Sequence, residues 1–530
     1  MDGNDSREPE QVPVGPPDGA AAAGDPGGAT RRGRVAADGS GTDAAATAAG
    51  EGDRDTRFFG QPFALAHVFG VEMWERFSFY GMQIVLVYYL YFSVAEGGLG
   101  IAESTAVGIV GAYGGSVYLA TILGAWVADR LLGSERVLFY SAIVIMAGHI
   151  ALALIPGVAG VATGLILVAI GSGGLKANAT SVVGTLYSAK DPRRDAGFSI
   201  FYLGINLGAF FGPLVTGFLR TTAGFHWAFG AAAIGMAIGL TQYSFGRKSL
   251  PAESRVVPNP LPRSRYAVMG IIGAVAILAI VLLVVYGIIR ADNLSLVVII
   301  AVVAATIAYF AVILRSSRIS KDERSRVFGF MPLFVVSVAF WSLYQQQFTV
   351  VPLYAESQLD LNLFGWDMPP DWVQSINPIF IIILSGVFAA IWTRLGTRQP
   401  STPVKFALGV MVMGVAFLLF LPFANGPANA TPLLAIVGIL LVFTIAELFI
   451  SPPGLSVTTK LAPARFHTQM VALYFLSVAL GTSIAGWLAG FYDPTDEVPY
   501  FTILGLIAIA LGVALFFGVK PVLKLMSGVR

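Results

Sequence analysis

From residue 62 onward the chain alternates between apolar runs of about 20 or more residues and short polar connections. A run of that length is what a helix needs to cross a bilayer. The pattern predicts helices over 62–93, 105–130, 136–156, 160–188, 195–220 and 224–245. Two follow over 266–289 and 293–315, then six more over 326–351, 372–395, 403–424, 432–455, 466–492 and 498–525. The spans group as six, two and six. Two six-helix bundles with a site between them is a common layout of secondary transporters. The extra pair is almost free of polar residues inside its spans and is expected at the periphery. The predicted domains are a tail over 1–57, a first bundle over 58–250, a linker with two helices over 251–325 and a second bundle over 326–530.

Charge orients the spans. Connections on one side carry Arg130, Arg136, Lys190, Arg193, Arg194, Arg247, Lys248, Arg255, Arg263 and Arg265. Later ones on that side carry Arg315, Arg318, Lys321, Arg324, Arg326, Arg394, Arg398, Lys405, Lys460 and Arg465. The alternate connections carry Glu96, Glu103, Glu356, Asp360, Asp367, Asp371, Asp493, Asp496 and Glu497. Arg220 and Arg290 break the pattern. The positive-inside rule then puts the basic side and both termini in the cytoplasm, in a multi-pass cell-membrane protein.

Composition supports a lipid environment. The chain is 56% hydrophobic and 12% charged, against about 25% charged in soluble domains. Its mean hydropathy is +0.74. A net charge of +2 suggests no nucleic-acid partner. Cysteine is absent, which removes disulfides and thiolate metal sites. No nucleophile–base pair or metal-ligand spacing points to an enzyme, and no metal or cofactor is expected. The first 57 residues differ: rich in Gly, Ala, Pro and Asp, with 11 acidic and 6 basic residues, they read as a disordered tail.

Charges inside the spans carry the chemistry. Glu72, Glu75 and Arg76 stand at i, i+3 and i+4 of the first helix, on a stripe extended by Phe79, Tyr80 and Gln83. Such a trio must face a wet cavity or partners on other helices. It reads as a proton-titrating and substrate-binding cluster, the alternative being a structural ion pair between helices. Lys176 lies in GSGGLKANAT, well inside the fourth span. Snorkelling to the interface is its bland alternative; a point charge for an anionic group is the functional one. Glu447, in AELFISPPGLS, is an isolated carboxylate just before Pro452, Pro453 and Gly454, which are expected to break or bend that helix. Asn206 and Asn377 could bond a ligand or join helices. GAWVADRLLGSER over 124–136 resembles the G-x-x-x-D-R-x-x-G-x-[RK] gate motif of the major facilitator superfamily, with Asp129 and Arg130 at its centre.

EMWERFSFYG over 72–81 matches the first-helix signature E-x-x-E-R-F-x-Y-Y-G, and DAGFSIFYLGINLGAFFGP over 195–213 is similar to the fifth-helix signature, of the proton-dependent oligopeptide transporters of that superfamily. With GSGGLKANAT, FWSLYQQQ, SINPIFII and AELFISPPGLS, the resemblance covers nearly everything after the tail. It implies a major facilitator fold of fourteen spans and a symporter that imports di- and tripeptides with protons, acting as a functional monomer in lipid. By the same resemblance, Arg76 and Lys176 would bind the peptide carboxylate, and Glu447, Asn206 and Asn377 its amine. Tyr80 and Tyr118 would bond the backbone, and Trp341 would wall a side-chain pocket. The chain departs from the pattern at Gln83 and Gln345, where members carry arginine and glutamate as an outer-gate salt bridge; the paired loss reads as a replaced gate contact. Phe79 replaces a signature tyrosine, and Tyr474 stands where a pocket tryptophan is common. Rival readings are the same fold carrying nitrate or another small organic anion, and a membrane receptor that does not transport.

Overall fold

The computed structural model describes residues 55–188 and 191–529, apart from the Thr397 side chain. All belong to the compact unit Gly50–Arg530. Residues 1–54 of the expected tail, and Lys190, lie outside the described residues.

Every predicted span holds a helix. The first half contains α1 (Ala64–Tyr91), α2 (Glu103–Val127), α3 (Ser134–Leu154), α4 (Gly157–Thr185), α5 (Arg194–Ala223) and α6 (Phe225–Gly246). The extra pair is α7 (Tyr266–Val285) and α8 (Leu294–Arg315). The second half contains α9 (Lys321–Tyr344), α10 (Val350–Ser357), α11 (Ile376–Leu395), α12 (Thr402–Leu418), α13 (Leu433–Leu461), α14 (His467–Ala489), α15 (Glu497–Phe517) and α16 (Val519–Leu525). Among the described residues, twelve helical stretches are long and apolar enough to cross a membrane. The charge-bearing α1 falls outside those twelve, and α12 is apolar but shorter. The protein is a multi-pass membrane protein with two six-helix bundles and two helices between them.

Several boundaries move for local reasons. The helix predicted from 326 starts at Lys321, because Ser320 and Glu323 form a capping box: the Glu323 amide donates to Ser320 Oγ at 3.1 Å and the Ser320 amide to Glu323 Oε2 at 2.8 Å. That span also does not run unbroken to 351. It tightens into a 3₁₀ turn over Gln345–Phe348 before α10 resumes. Pro352 lacks the amide that would bond the Phe348 carbonyl four residues back, and its ring crowds that carbonyl. Pro452 and Pro453 do not end their helix, which is expected to reach 455: α13 continues through them to Leu461. The last span divides at Gly518 into α15 and α16.

The extra pair is asymmetric. Helix α7 buries no residue, as expected of a peripheral helix. Helix α8 instead packs against α2 of one half and α14 of the other. Its Ser295 hydroxyl donates to the Gly108 carbonyl at 2.7 Å.

The halves meet at the end bearing the acidic connections. There α2 crosses α14 at glycines: a Cβ on Gly111 would lie 2.4 Å from the Gly486 Cα, and one on Gly486 would lie 2.6 Å from the Gly111 Cα. Tyr88 donates to the Pro352 carbonyl at 3.1 Å, Trp372 Nε1 to the Leu214 carbonyl at 3.0 Å and Ser375 to the Phe210 carbonyl at 2.8 Å. Arg220, the cation out of place in the charge pattern, pairs with Asp371 of the opposite half at 2.7 Å. Between described residues, hydrogen bonds at the basic end stay within one half. Arg247 bonds Glu135 at 2.7 Å, and the Ala464 amide bonds Glu323 at 3.0 Å. The halves are thus fastened at the acidic end and unjoined by such bonds at the basic end.

Adding a side chain at the glycine crossing should be costly. Gly486→Val is expected to destabilise the protein by about 1–3 kcal/mol through overpacking, read as a lower melting temperature in detergent; an unchanged melting temperature would contradict this packing.

Candidate functional site

A cavity of about 360 Å³ lies between the halves. That volume is within the range of small-molecule sites. Its lining brings together Arg76, Tyr80, Tyr118, Lys176, Asn206, Trp341, Asn377 and Glu447, residues set far apart in sequence. Glu72, Gln83, Gln345 and Tyr474 join them.

On the first-half wall, Arg76 holds both carboxylates of its helix. Its Nη2 lies 2.8 Å from Glu72 Oε1 and its Nε 3.1 Å from Glu75 Oε2. Glu72 and Arg76 face the cavity. Glu75 does not: it is fully buried behind them and its Oε1 accepts from the Ser172 hydroxyl of α4 at 2.9 Å. The three residues therefore form one ion-pair cluster that points two ways. Glu72 Oε2 has no hydrogen-bond partner among the described residues.

Lys176 stands near the Glu72–Glu75–Arg76 cluster without a direct ion pair to it. Among the described residues no carboxylate lies within ion-pair distance of it. Its ammonium sits over the Tyr118 ring, 4.1 Å from the centroid, with Phe79 at 5.7 Å. Aromatic faces steady a cation without spending its hydrogen bonds. Lys176 keeps donors available to a ligand, whereas Arg76 Nε and Nη2 are engaged by Glu72 and Glu75.

The second-half wall supplies the opposite charge. Glu447 Oε2 accepts from the Tyr344 hydroxyl at 2.6 Å. Tyr344 also lies 3.2 Å from Asn377 Oδ1, but one hydroxyl proton serves the shorter contact better. Asn377 Nδ2 donates to Thr444 at 2.9 Å. Asn206 turns its amide nitrogen back to the Tyr202 carbonyl of its own helix at 2.9 Å. Trp341 is wedged close to α14, since a Cβ on Gly481 would lie 2.5 Å from the Trp341 Cβ. Its indole nitrogen has no partner among the described residues. Tyr80 stacks on Phe348 across the halves, with ring centroids 5.6 Å apart.

The proposed gate residues separate. Gln83 and Gln345 both line the cavity, yet no hydrogen bond joins them and Gln83 Oε1 has no partner among the described residues. Asp129 and Arg130 lie off the cavity. Their backbone carbonyls accept from the Asn259 and Leu261 amides at 2.9 Å each, so they strap the linker after α6 onto their own half.

The POT family model matches residues 135–502 of the chain. The chain belongs to the POT family. Among its relatives, the transporter YclF of Bacillus subtilis (strain 168) is 42% identical over 470 residues, covering 88% of this chain and 95% of the relative. A di-/tripeptide transporter of Lactococcus lactis subsp. cremoris is 40% identical over 489 residues, covering 89% of this chain and 98% of the relative. The crystal structure of a POT peptide transporter in complex with sulfate superposes with a TM-score of 0.85 at 42% identity, covering 89% of this chain and 98% of that one.

Sequence reasoning about this POT chain missed Tyr344 and the Arg220–Asp371 pair. Tyr344 stands in FWSLYQQQ three residues after Trp341, so helical spacing puts it on the same face, a signal available but unused. Tyr344→Phe removes a hydrogen bond to the half-buried Glu447 carboxylate and should cost about 1–3 kcal/mol of stability. Adding Glu447→Gln should recover part of that loss, because the stranded charge is removed too; thermal melts of the single and double variants measure both.

Proposed function

We propose that this POT chain is a proton-coupled importer of di- and tripeptides that works by alternating access. The observation that carries the reading is the charge division of the cavity: Arg76 and Lys176 on the first half face a cavity to which the second half contributes Glu447. A peptide is a zwitterion whose termini stand about 7 Å apart in an extended dipeptide. Lys176, with Arg76 beside it, would bind the carboxylate, and Glu447 with Asn206 and Asn377 the amine. Tyr80 and Tyr118 would bond the backbone, with Trp341 and Tyr474 beside the side chains. Recognition by termini and backbone tolerates varied side chains.

In this reading the acidic end faces outside, both termini lie in the cytoplasm and the protein works as a monomer in the cell membrane. The first bundle spans 58–250, the linker 251–325 and the second bundle 326–530. Protonation of Glu72 or Glu75 would loosen their hold on Arg76 and free its guanidinium for the incoming carboxylate. Release of that proton to the cytoplasm would restore the ion-pair cluster and expel the peptide. Gln345 cannot titrate, so coupling falls on the first-helix carboxylates. The same-fold reading as a carrier of simple anions is disfavoured by Glu447, which repels an anion and attracts an amine.

Labelled dialanine should enter proteoliposomes against its gradient when a proton gradient is imposed. Counterflow that ignores the proton gradient would remove the coupling claim while leaving transport. Unlabelled dipeptide should compete, and Glu447→Gln should raise the KM for dialanine about tenfold or more, the loss of one charge-assisted contact. The double change Gln83→Arg with Gln345→Glu, which adds a titrating carboxylate, should alter the pH profile of uptake; an identical profile would argue that coupling never depends on this position.

A further inference from the structure

We propose that the Arg220–Asp371 ion pair is the latch that holds the acidic end of this transporter shut, in place of a charged contact between Gln83 and Gln345. The proposal rests on the alternating-access reading, in which this end must open and close. Arg220 ends the fifth helix of the first half, and Asp371 lies in the 3₁₀ turn Pro370–Ser375 that leads into α11 of the second half. The pair therefore crosses the seam that has to part.

Its geometry is that of a made contact. Arg220 Nε lies 2.9 Å and Nη2 2.7 Å from Asp371 Oδ2, with Oδ1 at 3.2 Å from Nε. The side chains are 6% and 0% exposed. The guanidinium lies over the Tyr88 ring, 4.3 Å from its centroid. Gly217, one turn earlier on α5, makes room: a Cβ there would sit 2.5 Å from the Asp371 Cβ. The Trp372–Leu214 and Ser375–Phe210 hydrogen bonds continue the same seam between α5 and this turn.

Two further points favour a latch over a stabilising bridge. Burying an ion pair gains little net stability, because desolvation offsets attraction. The pair is instead sensitive to state: it is bonded while the seam is closed, and both groups would hydrate once the seam parts, which gives a two-position element. Neither residue lines the cavity, whereas Gln83 and Gln345 both do. A latch at 220 and 371 moves the gate charge off the cavity wall, so a bound peptide does not compete for it.

The absence of cysteine makes the test direct. Ser375→Cys places one thiol on the seam at a position 3% exposed. In right-side-out membrane vesicles without peptide, a membrane-impermeant maleimide should label it slowly. Adding Asp371→Asn or Arg220→Gln should raise the labelling rate about tenfold, a shift of roughly 1.4 kcal/mol in the seam equilibrium. The reversed pair, Arg220→Asp with Asp371→Arg, should return the rate to near that of the parent. Arg220→Lys, which keeps the charge but not the two-pronged geometry, should fall between and serves if a neutral variant does not fold. Labelling at the parent rate in the neutral variants or, where these do not fold, in Arg220→Lys would overturn the latch, as would a well-folded reversed pair that stays as reactive as they are. Failure of dialanine uptake alongside these labelling changes would overturn the substrate reading and leave the latch in place.

Discussion

Three ionisable side chains on α1 must be satisfied inside the protein, because a bilayer offers them neither water nor counter-ions. The rest of the site follows from how Glu72, Glu75 and Arg76 are paired. One guanidinium serves two carboxylates, at 2.8 and 3.1 Å, and Ser172 on α4 takes a further Glu75 lone pair. Removing one member of a buried pair strands its partner at a cost of about 3–5 kcal/mol. The cluster therefore resists loss of its charge balance. Under the proposed function, a proton or an incoming carboxylate would exchange for one of its contacts without leaving a bare charge.

The second half answers with one carboxylate and no cation on the cavity wall. Glu447 is held by Tyr344, and Tyr344 is held in place by its ring contacts with Phe340 and Trp341. The first half thus lines the shared space with Arg76 and Lys176 against one carboxylate, Glu72, and the second half lines it with Glu447 alone. A zwitterion that bridges that space links the halves, which is how binding energy could be turned into movement of one bundle against the other. The seam at Arg220 and Asp371 stands outside the cavity, so fastening the acidic end and recognising the ligand use different residues.

Much of this was legible in the sequence. Long apolar runs locate the spans, since nothing else about a membrane helix needs to be specified, and ionisable residues inside them are rare enough to mark Arg76, Lys176 and Glu447. Boundaries were less legible where two local effects compete. The apolar run over 326–351 gives no sign of the 3₁₀ turn at Gln345–Phe348, and Pro452 and Pro453 lie within a continuous α13. Pairings were least legible. Periodicity put Glu72, Glu75 and Arg76 on one stripe, yet Glu75 turns to α4 because a stripe is wide enough to face two neighbours. Lys176 is marked by its charge, but its seat over the Tyr118 and Phe79 rings has no signal in the spacing. Arg220 breaks the charge rule, and its partner, 151 residues away, leaves no local signal.

Under the proposed function the cavity recognises both ends of a zwitterion. Binding of dialanine, N-acetyl-dialanine and dialanine amide to the purified protein tests it most directly, by calorimetry at one pH. Blocking either terminus is expected to weaken binding about tenfold or more, the loss of one charge-assisted contact. Equal affinity for the free and the blocked peptides would contradict it.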